Sequence, residues 1–178
     1  MMKPPIPRLA AALLTVLAVV TAVPAQTWQK VYEARDKGLP QTAVEALKPI
    51  IAEALQQKRY AEAVKAVCLK IAFEGKIQGN KPEEKVTRLE AEIAQAPDAM
   101  KPLMQAVLAN WYWHYFQQNR WRFQQRTQTD AAPGADFTTW DLPRILAEID
   151  KHFMAALANE RVLKATPVAQ VDDLLEKG

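Results

Sequence analysis

The chain predicts an all-α protein, with antiparallel helical hairpins stacked as a short TPR-like alpha-solenoid. Three observations carry that reading. Glycine is scarce, at five in 178 residues. Apolar residues recur at three- and four-residue steps, and no segment sustains the apolar–polar alternation of a half-buried strand. Several prolines and glycines, Gly38, Pro40, Pro82 and Pro143 among them, fall where helices begin or stop.

Each element follows from those signals. A first helix from about Trp28 to Lys37 stops at Gly38, the usual left-handed terminator, and Pro40 opens the next where its missing donor is harmless. That second helix, Pro40 to about Gln57, sets Val44, Leu47, Ile51, Ala54 and Leu55 on one stripe. Gln57-Lys58-Arg59 turns the chain into a third helix, about Tyr60 to Phe73, with Ala63, Val64, Val67 and Ile71 inward and a stop before Gly75. Lys76 to Lys81 is polar and reads as a loop. Pro82 starts a shorter helix through Gln95, with Val86, Leu89 and Ile93 inward. Asp98 is the expected cap of a long aromatic helix, Ala99 to Phe123. Helical character lapses from Gln124 to Thr139, where Thr127, Thr129, Pro133, Gly134 and Asp136 cluster. Asp141 is an N-cap with Pro143 in the first turn, and Ile145, Leu146, Ile149, Phe153 and Leu157 drive the helix that follows to about Asn159. A last helix is expected over Val168 to Glu176. Hairpins of this size suit a solenoid with a unit of about 34 residues, although no clean repeat of the tetratricopeptide signature occurs.

The N-terminus reads as an export signal. Lys3 and Arg8 precede an uncharged apolar run from Leu9 to Ala22, and Val23-Pro24-Ala25 offers small residues for cleavage before Gln26. The run is shorter than the roughly 20 residues a membrane span needs. Residues 1–25 are therefore assigned to a signal peptide and 26–178 to a single helical domain, periplasmic or secreted. No cysteine near the cleavage site could take a lipid anchor. Removing Lys3 and Arg8 lowers Lys plus Arg from 23 to 21 against 20 acidic residues, so the mature chain is near neutral. Nucleic-acid binding thereby loses its phosphate-neutralising footing. Cys68, the one cysteine, lies between Val67 and Leu69 and reads as a buried, inert thiol.

The distinctive block is Trp111 to Phe123, with three of the five tryptophans. On a helix Met104, Leu108, Trp111 and Tyr115 form one stripe, Tyr112 and Phe116 broaden it, and Trp113 points about 200° from Trp111. A helix apolar on nearly all sides is enclosed, which makes the block a spine of the fold. The competing reading is a stacking platform for sugar or peptide, and Arg120, Trp121 and Arg122 at its trailing end are the candidate partner contacts. Glu148 and His152 share a helix face, but a metal needs further ligands, and they read as an exposed helical pair. Asp172-Asp173, Glu83-Glu84 and Glu160-Arg161 read as solvated faces. No Gly-x-Ser-x-Gly, Cys-x-x-Cys or phosphate loop occurs, so neither catalytic residue, cofactor nor metal is assigned.

Gly38-Leu39-Pro40-Gln41-Thr42-Ala43, the run Asn110-Trp111-Tyr112-Trp113-His114-Tyr115-Phe116-Gln117-Gln118-Asn119-Arg120-Trp121-Arg122-Phe123, then Arg126-Thr127 and Thr139-Trp140-Asp141-Leu142 together resemble the helical N-terminal region of bacterial alpha-2-macroglobulin-family proteins. The match spans about Trp28 to Asn159. Members carry macroglobulin β-sandwich domains, a protease bait segment and in many cases a thioester behind that region. The thioester motif is absent, since Cys68 is followed by Leu69-Lys70-Ile71. The resemblance implies a non-enzymatic, exported interaction or scaffold module of an endopeptidase inhibitor, with macroglobulin-type domains in cis or a cell-envelope protein as partner. The alternative is a periplasmic module that grips cell-wall glycan or peptide through the aromatic and arginine surface.

Overall fold

A computed structural model describes residues 25–79, 81–126 and 134–175. The expected signal segment through Pro24 lies outside the described residues. Eight α-helices are seen among the described residues: α1 Ala25–Asp36, α2 Pro40–Gln56, α3 Tyr60–Ile77, α4 Pro82–Gln95, α5 Lys101–Gln118, α6 Arg120–Gln125, α7 Leu142–Leu157 and α8 Glu160–Ala165. No strand occurs among the described residues. Each long helix packs chiefly on its neighbours in the chain, α1 on α2, α2 on α3, α4 on α5 and α5 on α7, which is the antiparallel hairpin stack that the periodicity predicts.

The turns follow from local chemistry. At the end of α1, Gly38 adopts φ 66°, and Leu39 N donates to Ala34 O at 2.8 Å while Gly38 N donates to Arg35 O at 3.0 Å. This paired closure satisfies carbonyls the helix would leave open. The end of α2 repeats it with a lysine: Lys58 sits at φ 57°, and Arg59 N donates to Ala54 O at 2.8 Å.

Helix α3 is apolar on two sides and joins two cores. One side carries Ala66 and Phe73 against Val31, Ala34, Val44, Leu47 and Ile50 of α1 and α2. Its other side carries Val64, Val67, Cys68 and Ile71 toward α4 and α5, in a core that continues to α7. Cys68 is buried as expected. Gly75 does not stop α3, which continues to Ile77.

Four further expectations need correction. The aromatic helix is two helices, because Asn119 at φ −117° folds its side chain back, with Nδ2 donating to Tyr115 O at 2.9 Å. Such a local bond competes with helix continuation. Asp98 does not cap α5; its carboxylate takes Lys101 Nζ at 2.7 Å, and α5 starts after Met100 with Pro102 in its first turn. The segment after α6 is not wholly loop, for Phe137–Thr139 forms a 3-10 turn that delivers Phe137, 3% exposed, to the core. The expected last helix is instead two 3-10 turns, Val168–Gln170 and Asp172–Leu174, with Glu176 outside the described residues. Asp141 does cap α7, accepting from Arg144 N at 2.9 Å.

Candidate interaction surfaces

The aromatic block is a spine with one open end. Tyr112 lies at its centre, 1% exposed, with ring centroids 5.0 Å from Phe137, 6.5 Å from Trp140 and 5.5 Å from His152. Tyr115 continues the stack, edge-on to Phe137 at 4.9 Å and to Phe123 at 6.1 Å. Polar tips are satisfied as buried aromatics require: Tyr112 donates to Glu90 Oε1 at 2.7 Å and Trp140 Nε1 to Gly134 O at 2.7 Å. Trp111 is only half-buried, with Lys85 Nζ 5.5 Å from its ring centre. Trp111, which sequence geometry placed in the inward stripe, is therefore flank, and its neighbour Tyr112 is centre. Trp113 is exposed, so the helix is not enclosed on all sides as its all-round apolar pattern suggests.

At the open end, Phe123 anchors α6 in the core and leaves Arg120, Trp121 and Arg122 all exposed. Trp121 is the more conspicuous, at 61%.

Helix α7 presents the second surface, and here the expectation reverses. Its inward set is Ile145, Glu148, Ile149, His152 and Ala156. Glu148 and His152 are not an exposed pair; both are buried, and each has partners. Glu148 takes Lys151 Nζ at 2.5 Å and Arg144 Nη2 at 3.2 Å, and it stands 3.3 Å from His152 Nε2. His152 Nδ1 lies 2.6 Å from Gln105 Oε1 of α5. Burial pushes the His152 imidazole below its ordinary range, opposed in part by the Glu148 carboxylate. Leu146, Phe153, Met154 and Leu157 face outward, at 39%, 41%, 59% and 56% exposed. At 3.6 residues per turn these four fall within about 100° of the helix circumference, a mainly apolar arc that also carries the exposed Asp150.

The C-terminal strap, made of the 3-10 turns Val168–Gln170 and Asp172–Leu174, closes the third region. Asp173 is no solvated surface acid: it accepts from Tyr32 at 2.7 Å, pairs with Lys65 Nζ at 2.6 Å, and lies 3.7 Å from Arg35 Nη1. Burial opposes its charge, but Lys65 and Tyr32 outweigh that and hold the carboxyl below the usual range. Lys65 also stands 4.7 Å over the ring of Trp28. The sequence carried no signal for this latch, since its members come from α1, α3 and the strap.

No group of three or more His, Cys, Asp or Glu side chains that could hold a metal occurs among the described residues. None of their helices is long and apolar enough to cross a membrane. The fold thus defines an all-α stack of helical hairpins with open apolar and aromatic surfaces. No protein family, curated protein or solved structure matches the chain.

Proposed function

We propose that this chain is a non-enzymatic, exported helical interaction module, one that docks macroglobulin-type β-sandwich domains in an endopeptidase inhibitor. The observation that carries the reading is the outer face of α7, where four large apolar side chains lie together without cover. A contiguous exposed apolar patch ordinarily marks a protein contact. The inward packing of Tyr112, Tyr115 and Phe116 supports the same reading, because it removes most of the aromatic block from the ligand-platform account. The resemblance of the aromatic motif to the leading region of bacterial alpha-2-macroglobulin-family proteins supplies the kind of partner.

Calorimetric titration with a purified macroglobulin-type β-sandwich domain of that family tests it. Wild type should bind, and a Phe153→Ser, Leu157→Ser double variant should bind about 30-fold or more weakly while melting at the same temperature, as central apolar anchors of an interface do. Equal affinity in the two proteins would remove the α7 face from the reading.

One observation favours a second reading. Trp121 stands exposed between Arg120 and Arg122, an arrangement suited to stacking on a sugar or forking a carboxylate of cell-wall peptide. Peptidoglycan fragments should then quench tryptophan emission in the wild type and not in Trp121→Ala.

A further inference from the structure

We infer that the C-terminal strap is an autoinhibitory contact: its acids fill a cradle of cations and aromatic rings on α1 and α3 that otherwise takes an acidic segment of a protein partner. The cradle comes from two helices. Trp28, Tyr32 and Arg35 follow at i, i+4 and i+7 and so share one face of α1, while Lys65 reaches them from α3.

The four side chains order one another without help from the strap. Trp28 stacks on Tyr32 at 5.8 Å between ring centres, and its Nε1 donates to Glu62 at 2.7 Å. Lys65 Nζ stands 4.7 Å from the centre of the Trp28 ring and 5.7 Å from that of Tyr32, with the Arg35 guanidinium 4.9 Å from the latter. Two cations are thus held over two rings, a site formed in advance for a carboxylate. The carboxylates that pair with Lys65, those of Asp172 and Asp173, both belong to the strap. Glu62 is not free to replace them, since Arg59 and Trp28 engage it. Lifting the strap therefore leaves a cationic cradle. The chemistry that refills it is the strap's own, an acid followed by a large apolar residue that packs on the core as Leu174 does.

The strap is the removable part of this contact. It consists of two three-residue 3-10 turns, and neither these nor α8 before them buries a residue. Elements so thinly attached open at a small fraction of the cost of unfolding the whole chain. The strap is also undercut. A cavity of about 780 Å³, walled by Leu103 and Val162 and bordered by Gln170 of the strap, has Trp28 and Lys65 on its lining. An incoming segment thus meets Lys65 before the strap has left.

The test is calorimetry on the full chain with two synthetic peptides, N-acetyl-Val-Asp-Asp-Leu-Leu-amide and the same peptide with Asn for both acids. Because the strap competes, wild type should bind the acidic peptide weakly. An Asp172→Asn, Asp173→Asn double variant, whose strap has lost its hold, should bind it about ten-fold or more tightly. Adding Lys65→Gln to the double variant should abolish that binding. Arg35→Gln, at the open edge of the cradle, should weaken it roughly five-fold, which keeps the test decisive if the lysine change unfolds the chain. The inference is overturned if the double variant binds no more tightly than wild type, if the Asn peptide binds as well as the acidic one, or if Arg35→Gln and Lys65→Gln both keep the affinity. A wild-type chain that dimerises with concentration in light scattering, while Lys65→Gln stays monomeric, would give the cradle to the strap of a second copy and overturn the partner segment.

Discussion

Tyr112 separates a spine from a platform most sharply, because it sits beside a tryptophan that should behave in the opposite way. The Tyr112 ring is 1% exposed and touches three other rings. Truncating a buried aromatic to alanine costs about 3–5 kcal/mol. The lost ring pairings, worth about 0.5–1.5 kcal/mol each, place this site at the upper end of that range. Tyr112→Phe keeps the ring and loses only the bond to Glu90, about 1 kcal/mol. Trp113, 40% exposed, has one ring neighbour, Phe116 at 5.6 Å, and Trp113→Ala should cost no more than about 1.5 kcal/mol. Urea melts followed by helical circular dichroism would give these values, with an unchanged slope confirming that the same surface is exposed in each variant. A Tyr112→Ala cost below about 1.5 kcal/mol, or a Trp113→Ala cost above that of Tyr112→Ala, would refute the spine.

Other consequences can be measured on the same preparations. Burial pushes the Cys68 thiol up to about 12, so it should resist an aromatic disulfide reagent in buffer and react fully in urea; rapid labelling of folded protein would contradict its buried place. His152 is held below the ordinary imidazole value of about 6.5, first by burial. Between the two values the unfolded chain binds more protons, so its share of stability is complete above about pH 6.5 and is lost as pH falls through that window. Melting temperatures at about pH 7.5 and pH 5.5 should therefore differ less in His152→Gln than in wild type. An equal difference in both proteins would show that other groups govern it. Asp173→Ala should free the strap, which amide exchange would register as faster exchange over 168–174 with the α5 amides unaltered; unchanged exchange there would mean that Leu174 packing alone holds it. Because Asp173 titrates below the usual carboxylate range, its pairing is present above about pH 3.9 and is lost on further acidification through that lower value.

The first four helices were legible because each spends its apolar residues on neighbours in the chain, and Gly38, Pro40 and Pro82 mark some of their ends. Gly38 and Pro40 act locally, and local signals survive in sequence. The break at Asn119 was not legible, since no proline or glycine marks it and the period of the aromatics runs straight through. Phe137 was missed for a tertiary reason: it is an isolated aromatic amid loop residues, and its place between Tyr112 and Tyr115 is decided by where α7 docks. The latch was missed for the same cause. Lys65 and Asp173 are 108 positions apart, and nothing in either neighbourhood announces the other.

Helix α7 shows what periodicity leaves undecided. It carries apolar residues on two sides, and a pattern that equates apolar with inside would bury Leu146, Phe153 and Leu157. The fold buries Glu148 and His152 instead, a choice that burial energy alone opposes. What holds the helix in this rotation is specific: Tyr112 stacks on His152, Gln105 meets its ring nitrogen, and Asp141 caps the first turn. Breaking any of these to turn the outer face inward would strand polar groups without partners. A local preference set against the global packing in this way is characteristic of functional sites rather than of ordinary cores. The outer face is therefore not a residue of poor packing. It is the side of α7 that the polar contacts of the inner side keep turned outward, which is why the α7 variants, rather than those of the aromatic block, decide the proposed docking.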